Sequence, residues 1–341
     1  MTIRKYLTEF GLHMRASNIY IVQQDTLEIL NELEISDENE KFQINPCHIY
    51  MITRQPRITL DTESSKIEGQ FIKGRLKIQQ KDTYKYIGFE YPMPSDSYDL
   101  SIYCHYPYTE IILKDDQGTE RFRFTSTQLL ADMMKTTQYS DNSNTREFLE
   151  LISFEVLYIG QSFGREGSRT ALDRLLKHET LQKIYSKSIN QSPDQEIWLF
   201  LLNFEQTKII TIDPLQEYYG TSLDDNNRHL EKAFLEEISE DQKINFTEAA
   251  LIRYFQPEYN KIYKINFPSS EHKTYSECYE LDINTISFEI ETQRTGCIIK
   301  STQVPPKWVH LAEFPLHSSE ERKSMLDLKI LEKQDNELSN P

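Results

Sequence analysis

Residues Phe154–His178 read FEVLYIGQSFGREGSRTALDRLLKH, and the fold turns on how this stretch is parsed. A short apolar run ends in Tyr158-Ile159-Gly160, a loop rich in glycine and arginine follows, and ALDRLLKH then takes up helical spacing. Strand, loop and helix in succession place the stretch at the centre of a mixed domain. Arg165, Arg169, Arg174 and Lys177 give it a local positive field in an otherwise acidic chain.

Upstream, the sequence is β-like. Between Phe42 and Phe124 short strand-type runs recur (HIYMIT, RITLDT, GQFIKGRLKIQQ, YKYIGFEY, LSIYCHY), and in TEIILKDDQGTERFRF the residues Asp115-Asp116-Gln117-Gly118 supply turn chemistry between two alternating strands. Before them stand a strand over Asn18–Val22 and a helix over Asp25–Glu34. Thr125 or Ser126 can cap a helix through Thr127–Lys135, after which the polar TTQYSDNSNTR marks a domain boundary. Downstream come a buried run, Ile197–Phe204, a strand, Lys208–Asp213, and a charged helix, Arg228–Ile238. A helix over Asn245–Phe255 follows, capped by Asn245 or Thr247 and ended by Gln256-Pro257. Glu277–Thr302 has the pattern of a hairpin, and SEERKSMLDLKILEKQ that of a tail helix. The expectation is an α+β chain: a β-rich domain over residues 1–145, a mixed domain over 146–302 and a charged tail over 303–341.

A length of 341 residues favours two domains over one. The net charge of −16 argues against a surface coated for general nucleic-acid binding and leaves room only for a local basic cleft. Cys47, Cys104, Cys278 and Cys297 contain no C-x-x-C pair, so neither a disulfide framework nor a zinc ribbon is indicated. Cys47-His48 and Cys104-His105 lie in strands, where adjacent side chains point to opposite faces and cannot readily chelate together. The first residues have no secretory apolar core and no run reaches membrane-spanning length, so a cytoplasmic protein is expected.

Three pieces of the sequence together resemble the GIY-YIG nuclease superfamily: Tyr158-Ile159-Gly160 as YIG, Arg174 and His178 as R-x3-H, and Glu248 with Asn260 in EAALIRYFQPEYN. They span about a third of the chain, and their order also agrees. The resemblance implies a small mixed sheet flanked by helices and a metal-dependent endonuclease that hydrolyses DNA phosphodiesters, in DNA processing or defence against foreign DNA. In this reading Tyr158 activates water, Arg174 holds the scissile phosphate, His178 joins the catalytic group, and Glu248 holds Mg²⁺ or Mn²⁺. Arg165, Arg169 and Lys177 contact substrate, and Asn260 either joins them or fastens the helix end through side-chain hydrogen bonds. One carboxylate suffices for Mg²⁺, an ion that keeps several waters. The resemblance also implies a second tyrosine on the strand before YIG. The segment from Arg146 to Val156 contains none, and the nearest upstream tyrosine is Tyr139, which leaves that part missing, displaced or taken by His178. The alternative is a nucleic-acid- or protein-binding module that keeps the fold without the chemistry.

Overall fold

The computed structural model describes residues 5–27, 47–93, 99–136, 143–162, 171–212, 221–319 and 321–326. In chain order these form β1 (Thr8–Val22), β2 (Ile49–Pro56), β3 (Ile58–Glu68), β4 (Phe71–Gln80), β5 (Thr83–Pro92), β6 (Ser101–Tyr103), β7 (Glu110–Lys114) and β8 (Glu120–Thr125). Then come α1 (Ser126–Thr136), α2 (Ser143–Ile152), β9 (Phe154–Gln161), α3 (Ala171–Leu175), α4 (Glu179–Gln191) and β10 (Gln195–Ile212). The last elements are α5 (Leu223–Leu235), α6 (Glu240–Phe255), α7 (Glu277–Glu280), β11 (Thr285–Glu291), β12 (Ile299–Lys300) and β13 (Val309–Pro315). The fold is α+β and rich in strand.

Seven strands form one mixed sheet in the order β12-β9-β2-β10-β1-β11-β13, and β3-β4-β5 and β6-β7-β8 form two smaller sheets. The centre of the large sheet is buried on both faces. Phe10, Phe154, Phe200 and Phe288 meet α6 on one side, while Tyr50, Leu157, Leu199 and Leu201 meet α3 and α4 on the other. Ile197–Leu202 is accordingly apolar at nearly every position, the signature of a strand covered twice.

The expected division at residue 145 does not describe the chain. β2 pairs antiparallel with β9 and β10, and β1 with β10, so the N-terminal strands belong to the same sheet as YIG. The second unit is an insertion running from β3 through α2, with its own core of Ile58, Leu76, Ile111, Phe124, Leu130 and Ile152. A run of consecutive β segments carries no mark of which strands pair over long range, so the sequence pattern placed the break at the polar linker. The insertion starts and ends where β2 and β9 are neighbours, across the Arg54↔Glu155 pair, which is also an ion pair of 2.9 Å.

Several local expectations hold. Asp115 Oδ1 accepts from the amides of Gln117 and Thr119, and Gly118 takes a positive φ in the turn between β7 and β8. The Thr125 hydroxyl caps α1 by accepting from Gln128 N at 3.1 Å. Others change. Ile197–Phe204 and the described part of Lys208–Asp213, to Ile212, fall within one continuous strand, β10, because β1 extends back to Thr8 and pairs along its length. Glu277–Thr302 is not a hairpin: β11 runs parallel to β1 and pairs with β13, while β12 joins β9. The expected Asp25–Glu34 helix is described only as far as Leu27.

The tail segment is not helical in its described part, to Leu326. It instead delivers Arg322, which is buried against Glu9 at the start of β1. Arg322 also donates to Asp282 Oδ1 at 2.8 Å, and Glu9 accepts further from Asn284 Nδ2 and the amides of Lys5 and Tyr6. Removing one member of such a pair strands a charge in the core. Arg322→Ala is therefore expected to lose ~3–5 kcal/mol in denaturant unfolding, and Glu9→Gln/Arg322→Met to lose less than Arg322→Ala alone.

Candidate active site

The paired strands β2 and β9 present their outer ends as a site. Tyr50 lies opposite Gly160 and Ile52 opposite Tyr158, so the two tyrosines share one face of the sheet. A register shift at Leu157 lets Leu157 and Tyr158 serve the same side: Leu157 fills the core beneath α3 and α4, and Tyr158 packs at its margin. Gly160 matters through its missing side chain. A Cβ there would stand 2.5 Å from the Tyr50 hydroxyl and 2.8 Å from the Tyr158 ring.

The segment just before YIG has no tyrosine, but Tyr50 stands beside Tyr158, with ring centroids 6.2 Å apart. Tyr50 sits in Cys47-His48-Ile49-Tyr50, about a hundred residues earlier, because the insertion separates two strands that pair directly.

The R-x3-H pair also differs from its expected form. Arg174 and His178 do not share one helix: α3 ends at Leu175, and His178 is the N-cap of α4 with extended backbone, φ −90° and ψ 110°. His178 Nδ1 accepts from Leu181 N at 3.1 Å, which fixes the proton on Nε2; that nitrogen donates to the Tyr50 hydroxyl at 3.0 Å. Burial first, and then the Arg174 guanidinium, push the His178 pKa down to about 4, so the ring is neutral at pH 7. His178 therefore positions Tyr50 rather than replacing it.

Arg174 stands exposed at the mouth of the site, with its charge directed at the Tyr50 hydroxyl. The rings of Tyr50 and Tyr158 are 6.2 Å apart, and those of Tyr158 and His178 are 5.4 Å apart. Burial raises the pKa of both phenols. The charge of Glu248 adds to this, while Arg174 opposes it at both and the Tyr50 hydroxyl opposes it at Tyr158. Both tyrosines are thus held in the phenol form at neutral pH, suited to hydrogen bonding rather than to proton abstraction.

Glu248 lies on α6, which begins earlier than its sequence suggested: Glu240 opens the helix after Ser239, so neither Asn245 nor Thr247 is a cap. Asn245 instead accepts from Gln161 Nε2 at 2.6 Å, and Gln161 at the end of β9 is also turned toward the Glu248 carboxylate. Burial raises the Glu248 pKa to about 7, only partly offset by Gln161 and Arg174. Glu248 keeps some exposure at the cleft while most of its surroundings are protein.

Asn260 does not reach into the cleft. It is buried, its Oδ1 accepts from Ile159 N at 2.9 Å and its Nδ2 donates to Ile159 O at 2.8 Å. With Tyr259 N donating to Leu157 O, it fastens the exit of α6 to the YIG strand, the second of the two roles open to it in the sequence. Lys177 is exposed on the turn between α3 and α4. Arg165 and Arg169 lie outside the described residues.

Among the described residues there is no group of three or more His, Cys, Asp or Glu side chains that could hold a metal ion. That excludes a many-ligand cage there, but a carboxylate whose ionisation is opposed by burial fits a hydrated Mg²⁺ or Mn²⁺, which would supply the missing positive charge. The sign of the shift makes this testable. The folded pKa of Glu248 lies above its unfolded value, so its ionisation reduces stability as pH rises from about 4.5 to about 7. At pH 8 in chelator, Glu248→Gln is expected to melt higher than wild type, and millimolar Mg²⁺ to raise the melting temperature of wild type but not of the variant. Comparison of this chain with protein-family models, curated proteins and solved structures found no match.

Proposed function

We propose that the chain is a metal-dependent endonuclease of the GIY-YIG type acting on DNA. The observation that carries this reading is that Tyr50, Tyr158, Arg174 and Glu248 lie within reach of one another's charges and hydrogen bonds, although they come from four separate elements spread over about two hundred residues. The space beside Tyr158 is occupied by a hydroxyl and an imidazole. Phe148, Leu149 and Leu151, which could have plugged it, belong to the core of the insertion. This favours a catalytic site over a module that keeps only the fold.

In this reading each group has a role set by its state. Arg174, exposed and unshielded by a carboxylate ion pair among the described residues, grips phosphate oxygens, for which a planar guanidinium is suited. Tyr158 orients the attacking water through its hydroxyl. Tyr50 receives a hydrogen bond from His178 and turns its own hydroxyl toward Tyr158, fixing the direction in which Tyr158 points. Glu248, with Gln161 beside it, would hold Mg²⁺ or Mn²⁺, whose chemistry is to stabilise charge that develops on the leaving oxygen. Asn260 and Gly160 keep β9, α6 and Tyr50 in register without touching substrate.

The partner is nucleic acid, with a basic cleft doing what a basic surface does in other nucleases. No helix among the described residues is long and apolar enough to cross a membrane, and the cytoplasm is the compartment we assign. Plasmid cleavage with Mg²⁺ or Mn²⁺ tests the reading. Tyr50→Phe removes one oxygen and is expected to slow cleavage by roughly 10²- to 10⁴-fold with little change in melting temperature, and Glu248→Ala to abolish it. Wild-type rates in either variant would overturn the mechanism.

A further inference from the structure

Among the described residues, every exposed aromatic side chain except Phe234 belongs to the insertion. Three of these, Phe71, Tyr84 and Tyr86, lie on the outer face of β4 and β5. On β4 the inward residues Ile72, Leu76 and Ile78 are fully buried, and the alternate positions Lys73, Arg75 and Lys77 point outward. Each cation stands over a ring: Lys73 at 5.9 Å from Phe71, Arg75 at 5.1 Å from Tyr86 and Lys77 at 4.0 Å from Tyr84. Successive cations are ~6.7 Å apart by the two-residue repeat of a strand. Opposite Arg75 is Gly88, where a Cβ would meet nothing within 4 Å, so the floor beside Tyr86 is open.

The face carries acids as well. Asp61 pairs with Arg75 at 2.6 Å, and Glu68 and Glu90 flank Lys73 at 3.5 and 3.4 Å. The pairs to Glu68 and Glu90 have exposed carboxylates and hold weakly, so they exchange readily for phosphate, while Asp61 is more covered and also holds Arg75 through Nε at 2.8 Å. Lys77 has no carboxylate partner among the described residues and rests on Tyr84 alone. In a protein of net charge −16, a central strand of three cations bordered by accessible rings is a local departure that hydration alone does not require.

We propose that this face binds single-stranded nucleic acid, with bases stacked on Tyr84 and Tyr86 and the backbone running along Lys73, Arg75 and Lys77. Rings lying on an open sheet need unpaired bases, since the faces of paired ones are already stacked within the duplex. The assignment takes its polymer class from the nuclease reading and its strand preference from this face alone. β2 rises ~20 Å from Tyr50 to Pro56 before the chain enters the insertion, so a strand held here is anchored away from Tyr158 rather than cut there. The surface would direct the enzyme to junctions, flaps or gaps where a single strand adjoins the cleavage site.

The test is fluorescence anisotropy of the wild-type full chain in chelator, with a labelled oligo(dT) of about 20 nucleotides and a duplex of the same length. The oligo(dT) is expected to bind more tightly than the duplex, Tyr84→Ala/Tyr86→Ala to weaken it at least about tenfold, and Tyr84→Phe/Tyr86→Phe to retain it. Lys77→Ala should lower the slope of log affinity against log salt by ~0.7. Preference for the duplex, or wild-type binding by the alanine pair, overturns the proposal. So does sedimentation showing that these rings instead join two copies of the chain. Because binding is read without metal, ring-dependent binding in a protein that never cleaves would leave this face standing and remove only the nuclease reading.

Discussion

The site depends on a steric permission: at the Tyr50↔Gly160 pair, one strand gives up its side chain so that the other can lay a phenol across it. Any Cβ at residue 160 would enter the Tyr50 hydroxyl and the Tyr158 ring together. The glycine is not there for backbone freedom, since its φ is ordinary for a strand. Its role is to let two tyrosines and His178 crowd one face of an antiparallel pair, with Asn260 holding the same strand from behind through both polar atoms of its amide. Position, not acidity, is what these contacts provide, since burial holds the phenols protonated.

Placing the insertion between β2 and β9 preserves that arrangement. Antiparallel neighbours have adjacent ends, so a unit starting after Pro56 and ending before Phe154 leaves from one edge and returns to it, and loop length adds little closure entropy. Tyr50 opens β2 and Tyr158 nears the end of β9, so both stand at the far end of the pair from the insertion. The insertion is tied down locally by Arg57 N to Asp194 O at 2.8 Å and Lys81 N to Asp194 Oδ2 at 2.9 Å. A second core can thus be added without moving the first.

What the sequence disclosed follows the range of the forces involved. Short-range signals were legible: the Asp115 turn, the Thr125 cap, the strand ending in YIG and the helix bearing Glu248. Pairing between strands a hundred residues apart was not, so the β2–β9 partnership, the true limits of the insertion and the place of Tyr50 beside Tyr158 stayed hidden. Asn260 stood open between two readings for a related reason, since a polar residue after a motif helix looks the same whether it faces substrate or backbone. His178 illustrates a third limit: four-residue spacing suggests one helix face, but a histidine can cap a new helix as readily as extend the old one.

The remaining tension lies at Glu248. Packing around α6 raises its pKa to about 7, and its charge in turn makes Tyr158 harder to ionise. Arg174 works against both effects but stands at the solvent edge, where its field is weakened. A fold selected for stability alone would replace this carboxylate by an amide. Glu248 stands beside Gln161 on a helix whose neighbouring residues Thr247, Ala249 and Ala250 are fully buried, and under the proposed nuclease reading a bound cation would supply the positive charge that this packing withholds.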